Sequence, residues 1–168
     1  MTISMYQASV PVFIRALNNL AAILEKGAAH AQARRIDEAV LLNSRLFPDM
    51  FPLVRQVQIA TDTARSGGGR LAGAEFPAYE DKEATFQELL LRIRNSVTYL
   101  ESLQPAQIDG GEDKTISWQS RSSTKSMQAL PYLLSHLLPN VHFHVTTAYA
   151  ILRHNGVELG KKDYLGPS

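Results

Sequence analysis

The chain has 168 residues, 45% hydrophobic and 20% charged, which is enough apolar material for one compact core. Its 17 basic and 16 acidic residues leave a formal charge of +1, which weighs against a dedicated nucleic-acid binder, since phosphate neutralisation needs a basic face. There is no cysteine, which excludes disulfides, thiolate nucleophiles, iron–sulfur clusters and thiolate zinc sites.

From about Ser4 to Lys26, the apolar residues Val12, Phe13, Ala16, Leu17, Leu20, Ile23 and Leu24 recur in steps of one, three and four, the stripe of a helix. Pro11 predicts a kink or a helix start, and Gly27 a stop. Between Ala28 and Leu46, the residues Ile36, Ala39, Val40 and Leu42 suggest a short helix, with Asp37 and Glu38 in its first turn. Phe47-Pro48-Asp49 ends it, and Asp49 is placed to cap the next helix.

That second long helix carries Met50, Leu53, Val54, Val57, Ala60, Thr61 and Ala64, and the run Ser66-Gly67-Gly68-Gly69 is expected to terminate it. Pro77 to Asp81 reads as a loop. Glu83 to Leu103 is the clearest helix, through Phe86, Leu89, Leu90, Ile93, Val97, Leu100 and Leu103, with Glu88 and Arg92 spaced as a surface pair.

Gln104 to Leu130 differs in character. Gly110-Gly111, several serines and Thr115-Ile116-Ser117-Trp118 predict two short extended stretches forming a hairpin. Tyr132 to Leu138 reads as a short helix ended by Pro139. The last helix runs from about Asn140 to Asn155 on Val141, Val145, Ala148 and Leu152, closed by Gly156. Lys161 to Ser168 is a tail held by Tyr164 and Leu165. The expected fold class is therefore all-α: one domain over residues 1–168, a four-helix bundle with a long connection before the last helix.

The N-terminal segment lacks a basic leader, and Gln7, Arg15, Asn18 and Asn19 interrupt its apolar residues, so no signal peptide is expected. No apolar run reaches the roughly 18 residues of a membrane span. The expected location is the cytoplasm.

Chemistry has few footholds. The histidines are His30, His136, His142, His144 and His154, and no two are four apart. His142 and His144 point to nearly opposite sides of a helix, and His144 and His154 are about 15 Å apart along one. No shared metal is expected from them. His144 lies at the edge of the Val141–Val145–Ala148–Leu152 stripe, where its ring reaches the interior, most simply as a hydrogen-bonded core residue.

Tyr149 and Arg153, with His142 and Thr146, share a face suited to a small anion, or to a stacked surface pair. Gln56 and Asp62 are polar residues in an apolar stretch, and the plainer reading pairs Asp62 with Arg65 or water. Gly67-Gly68-Gly69 lacks the Lys and Ser/Thr of a phosphate loop. Trp118 and Phe143 are candidates for an exposed apolar patch at a subunit contact.

Several strings carry a resemblance. They are Pro48-Asp49-Met50; Arg55-Gln56-Val57-Gln58-Ile59-Ala60 with Asp62 and Ala64; Arg70-Leu71-Ala72-Gly73; and Phe143-His144-Val145-Thr146-Thr147-Ala148-Tyr149-Ala150-Ile151-Leu152-Arg153 with Asn155-Gly156-Val157. Over nearly the whole chain the sequence resembles an uncharacterised domain-of-unknown-function family within the DinB/YfiT-like superfamily, regarded as metalloenzymes. The resemblance implies a DinB-like bundle, often paired as a dimer. Its better-known relatives hold a divalent metal through one histidine on the second helix and two, four apart, on the fourth. Some are metal-dependent thiol transferases or hydrolases. Here the second helix has no histidine, and Ala148 stands four residues after His144, so at most one of the three ligands is matched.

The expectation that follows is a binding protein for a small molecule or a protein partner, without the standard three-histidine site. Gln56, Asp62, His144 and Tyr149 are its candidate ligand-binding residues. No cofactor is expected, a homodimer is, and neither nucleic acid nor membrane is. The alternative is a metal-dependent transferase or hydrolase using His144 with carboxylates. A purely structural dimer module is the third reading.

Overall fold

A computed structural model describes residues 3–120 and 123–167. In chain order the elements are helices α1 (Val10–Arg34), α2 (Glu38–Leu42), α3 (Leu53–Ala72), α4 (Phe86–Glu101) and α5 (Pro105–Ile108), then strands β1 (Thr115–Ser120) and β2 (Ser123–Gln128). Helix α6 (Ala129–Pro131), a π-helical turn over Tyr132–Leu137, α7 (Leu138–His154) and α8 (Lys161–Leu165) complete the chain. Met1 and Thr2, ahead of the expected first segment, and Ser168, the end of the expected tail, lie outside the described residues, as do Arg121 and Ser122.

The chain is mostly helical but not all-α. β1 and β2 pair antiparallel, from Thr115 opposite Gln128 to Ser120 opposite Ser123. The expected hairpin is therefore real. Alternation along β1 puts Ile116 and Trp118 on one face, and that face packs inward: Ile116 is buried and Trp118 half-buried. The hairpin amends the all-α expectation because β-favouring residues beside glycines find a helix-built surface to cover.

The four long helices pack pairwise, α1 on α4 and α7, and α3 on α4 and α7. Their stripes meet in one apolar cluster that includes Phe13, Leu17, Leu20, Leu53, Val57, Phe86, Leu89, Leu100, Val141 and Leu152. Each such side chain, fully buried, favours folding by about 1.5–3 kcal/mol before chain entropy is charged.

Helix ends follow local chemistry where the sequence is specific. Pro11 sits in the first turn of α1, where a missing amide proton costs nothing. The Asp37 carboxylate caps α2 by accepting from the Ala39 amide at 2.9 Å. α4 opens with a capping box: Thr85 Oγ1 accepts from the Glu88 amide at 3.2 Å, and the Glu88 carboxylate accepts from the Thr85 amide at 3.0 Å.

Several predicted ends move. Gly27 does not stop α1, which runs on to Arg34 and takes up the start of the expected second segment. Gly67, Gly68 and Gly69 do not end α3, which continues to Ala72 and closes at Gly73 with φ +63°. Added Cβ atoms would meet Leu137 at Gly67 and Leu100 at Gly68, both at 2.7 Å, and Phe76 at Gly69 at 2.6 Å. The three glycines are buried in the helix because neighbours on three sides lie against its backbone. Gly27 is similar, with Leu152 at 3.1 Å from the position a Cβ would take.

Asp49 does not cap α3. Pro52 holds that position in an extended conformation, and the helix starts one residue later. Pro139 does not end a helix but lies in the first turn of α7, directly after the π-helical turn. Glu88 and Arg92 do not form a surface pair: Glu88 is engaged at the cap, and Arg92 is 3% exposed. Among the described residues no helix is long and apolar enough to cross a membrane.

Candidate functional site

α3 and α7 bring Gln56 and His144 together across the core, both buried, with His144 Nδ1 2.7 Å from Gln56 Oε1. The Gln56 amide nitrogen donates to the Phe51 carbonyl at 3.0 Å. That bond fixes which end of the amide is oxygen, so Nδ1 of His144 must be the donor. The imidazole is thereby held in one tautomer, with Nε2 bearing the lone pair. Among the described residues Nε2 has no hydrogen-bond partner.

Burial, and secondarily the positive charge of Arg55, lower the His144 pKa from 6.5 to about 4. The ring is therefore neutral at pH 7. The Phe143 ring meets it edge-on, with centroids 5.2 Å apart, while remaining 55% exposed itself. A neutral imidazole locked in this way accepts a hydrogen bond, takes up a proton, or donates its lone pair to a metal.

The second cluster is ionic. The Arg92 guanidinium reaches Asp62 at 2.7 Å, Asp81 at 2.9 Å and Glu83 at 2.9 Å. Its Nε donates to Thr61 Oγ1 at 2.9 Å and Nη1 to the Glu80 carbonyl at 3.1 Å. Burial works to lower the Arg92 pKa, but the Glu83 and Asp62 hydrogen bonds and charges outweigh it and raise the pKa. Arg55 also bonds to Asp81, and Gln58 donates to Glu83 at 2.8 Å. The α3–α4 connection is thus strapped down by its acids. The signal for this was legible, because Arg92 falls three residues after Leu89 and four before Ser96, inside the buried stripe of α4.

The four candidate residues therefore fall in three places. Gln56 and His144 are paired. Asp62 belongs to the ionic cluster, bonded to Arg65 at 2.8 Å as well as to Arg92. Tyr149 lies with Tyr164 of α8, ring centroids 6.4 Å apart, and Tyr164 Oη is 3.0 Å from His142 Nδ1. Of the face expected to offer an anion pocket or a surface pair, His142 and Tyr149 lie against Tyr164, while Thr146 and Arg153 are exposed. The two aromatic residues expected to share a patch lie in separate groups. Trp118 packs at a tilt against Tyr132 and His136, ring centroids 4.8 and 4.9 Å away, and Phe143 lies against His144.

A three-histidine metal centre of the DinB type does not fit this donor set. α3 carries no histidine, and Ala148 stands four residues after His144, where a further imidazole would be needed. Among the described residues no three His, Asp or Glu side chains gather as a metal-holding group.

The relatives agree with the architecture. A family model described as a domain of unknown function, DUF1993, matches residues 5–165. The chain is also similar to a DinB family member protein from Shewanella denitrificans of known crystal structure, at 46% identity and a TM-score of 0.89 over 98% of this chain and 93% of that one. No curated protein matches. The chain belongs to the DUF1993 family of unknown function, an uncharacterised family with a DinB-like helical fold.

Proposed function

We propose that this single-domain, DinB-like four-helix bundle is a cytoplasmic binding protein whose ligand site centres on His144 and Gln56 and lacks the three-histidine metal site. The observation that carries this reading is the chain of bonds from the Phe51 carbonyl through Gln56 to His144. It spends two buried polar groups to present one neutral nitrogen acceptor. Such a group selects ligands that donate an N–H or O–H, since a site built to pair a donor discriminates against analogues lacking it. The assembly proposed is a homodimer, supported by the exposed Phe143 ring beside the site.

Ligand-observed NMR against a panel of small amides, alcohols and amines tests the reading. Hits should disappear with His144→Ala and weaken with Gln56→Leu. Hits indifferent to both variants would remove the site from His144. Sedimentation velocity reads the oligomeric state in the same preparation.

A second reading, a metal-dependent transferase or hydrolase, draws support from the same geometry. A histidine whose other ring nitrogen is held by a fixed acceptor is the usual form of a metal ligand. Stoichiometric zinc or nickel in the purified protein, lost on His144→Ala, would favour it over the metal-free binding protein.

A further inference from the structure

Two arginines lie at equal depth beside Asp62, and they are satisfied very differently. Arg92 uses all the donor groups of its guanidinium on Thr61, Glu80, Glu83, Asp62 and Asp81. Arg65, 4% exposed, has one polar contact: Nη2 to the Asp62 oxygen that Arg92 also holds. Among the described residues its Nε and Nη1 are buried and have no partner. A buried guanidinium with unpaired N–H groups weakens a fold, so packing alone does not account for arginine at this position.

The face of Arg65 is closed by the Tyr79 ring, whose centroid lies 3.8 Å from the guanidinium carbon. Tyr79 sits in the strapped α3–α4 connection. On one side of it the Glu75 carbonyl accepts from Tyr99 Oη at 2.9 Å; on the other, Glu80, Asp81 and Glu83 are tied to Arg92. The ring is thus at the centre of a segment pinned at both ends. Next to it is a cavity of about 360 Å³ lined by Tyr79, Leu91, Arg92 and Asn95, among others. Tyr79 lines this space and also covers Arg65, which does not itself line it. The carboxylates along the cavity are already paired, Glu83 with Arg92, Glu80 with Lys82, and Glu88 with the amides that open α4.

We propose that Arg65 anchors a second ligand site, distinct from the His144 site, which takes a small oxyanion and is gated by the Tyr79 ring. A carboxylate or phosphate oxygen supplies the acceptors that the Arg65 Nε and Nη1 groups lack. The two sites are independent, and the gated one does not rest on what His144 binds.

Thermal unfolding of the full chain in sodium phosphate, sodium acetate or sodium chloride at equal ionic strength and pH 7 tests this. The midpoint should rise saturably with phosphate, acetate or both, and not with chloride, and the comparison identifies which oxyanion chemistry is preferred. Arg65→Met should start from an equal or higher midpoint and show no response. Tyr79→Ala should reach half-response at lower anion concentration, and Arg94→Gln, an exposed arginine, should respond as the parent does. Should Arg65→Met not fold, the Arg65 Nε–H resonance of the parent chain gives the answer, since it should move on phosphate or acetate titration. A parent midpoint and an Arg65 resonance both indifferent to these anions would overturn the proposal. So would an equal response in Arg65→Met, or a crystal grown in phosphate with only water on Arg65.

Discussion

Acidification should destabilise this protein through His144 in a way that one substitution removes. The folded-state pKa of about 4 lies below the ordinary 6.5, so as pH falls the unfolded chain takes up the proton first. The His144 contribution is fully present above pH 6.5, shrinks as pH drops from 6.5 towards 4, and is lost by about pH 4. At about 1.4 kcal/mol per pH unit, the gap corresponds to about 3 kcal/mol, of which about 2 kcal/mol is lost between pH 7 and pH 5. The control is His144→Asn, whose side-chain amide keeps a donor for Gln56 but does not titrate. Urea unfolding at pH 7, 6 and 5 should show the parent losing about 2 kcal/mol more than the variant over that range. Helical circular dichroism is the better probe. Trp118 packs against His136, whose own pKa is lowered by burial, then by Lys125 and Arg70, so its fluorescence would report a second titration. Equal pH slopes in the two proteins, or a His144 ring that titrates near 6.5 by NMR, would refute the buried, Gln56-locked imidazole.

Other substitutions probe the frame around the site. Arg92→Met should cost about 3 kcal/mol, the low end for breaking a buried ionic network, because each carboxylate keeps another partner in Arg65, Arg55 or Gln58; a loss below 1 kcal/mol in urea unfolding would mean the strap is not held there. Thr85→Ala should cost about 1 kcal/mol by removing one half of the α4 capping box, read as a lower unfolding midpoint. Gly68→Ala and Gly73→Ala should both destabilise, for different reasons. At Gly68 a Cβ is 2.7 Å from Leu100, and about 1–3 kcal/mol of overpacking exceeds a helix-propensity gain of about 1 kcal/mol. Gly73 has open space around it but φ +63°, so the cost there is about 1–2 kcal/mol of backbone strain. Leu100→Ala should cost less in the Gly68→Ala background than in the parent, because the two share one contact, and should cost the same in the Gly73→Ala background as in the parent.

Apolar periodicity was enough to place the four long helices, because a stripe repeating near every 3.6 residues has no other way to leave water. Turn and β-favouring residues likewise marked the hairpin. Helix ends were less legible. Gly67, Gly68 and Gly69 read as a breaker, and only the packing of Leu137, Leu100 and Phe76 shows why they sit inside α3. Asp62 was found as a polar residue in an apolar stretch, but its binding to Arg92 depends on two helices and a loop meeting.

Local sequence determines which backbone hydrogen bonds a segment can make and which of its faces seeks burial. It does not determine which polar groups will meet once those faces are buried. The Gln56–His144 bond joins residues 88 positions apart, and the charge state of His144 follows from the solvent it loses there. The partnering of Arg92 and the lack of partners for Arg65 are settled at the same stage, because desolvation and hydrogen-bond geometry exist only after the helices have packed.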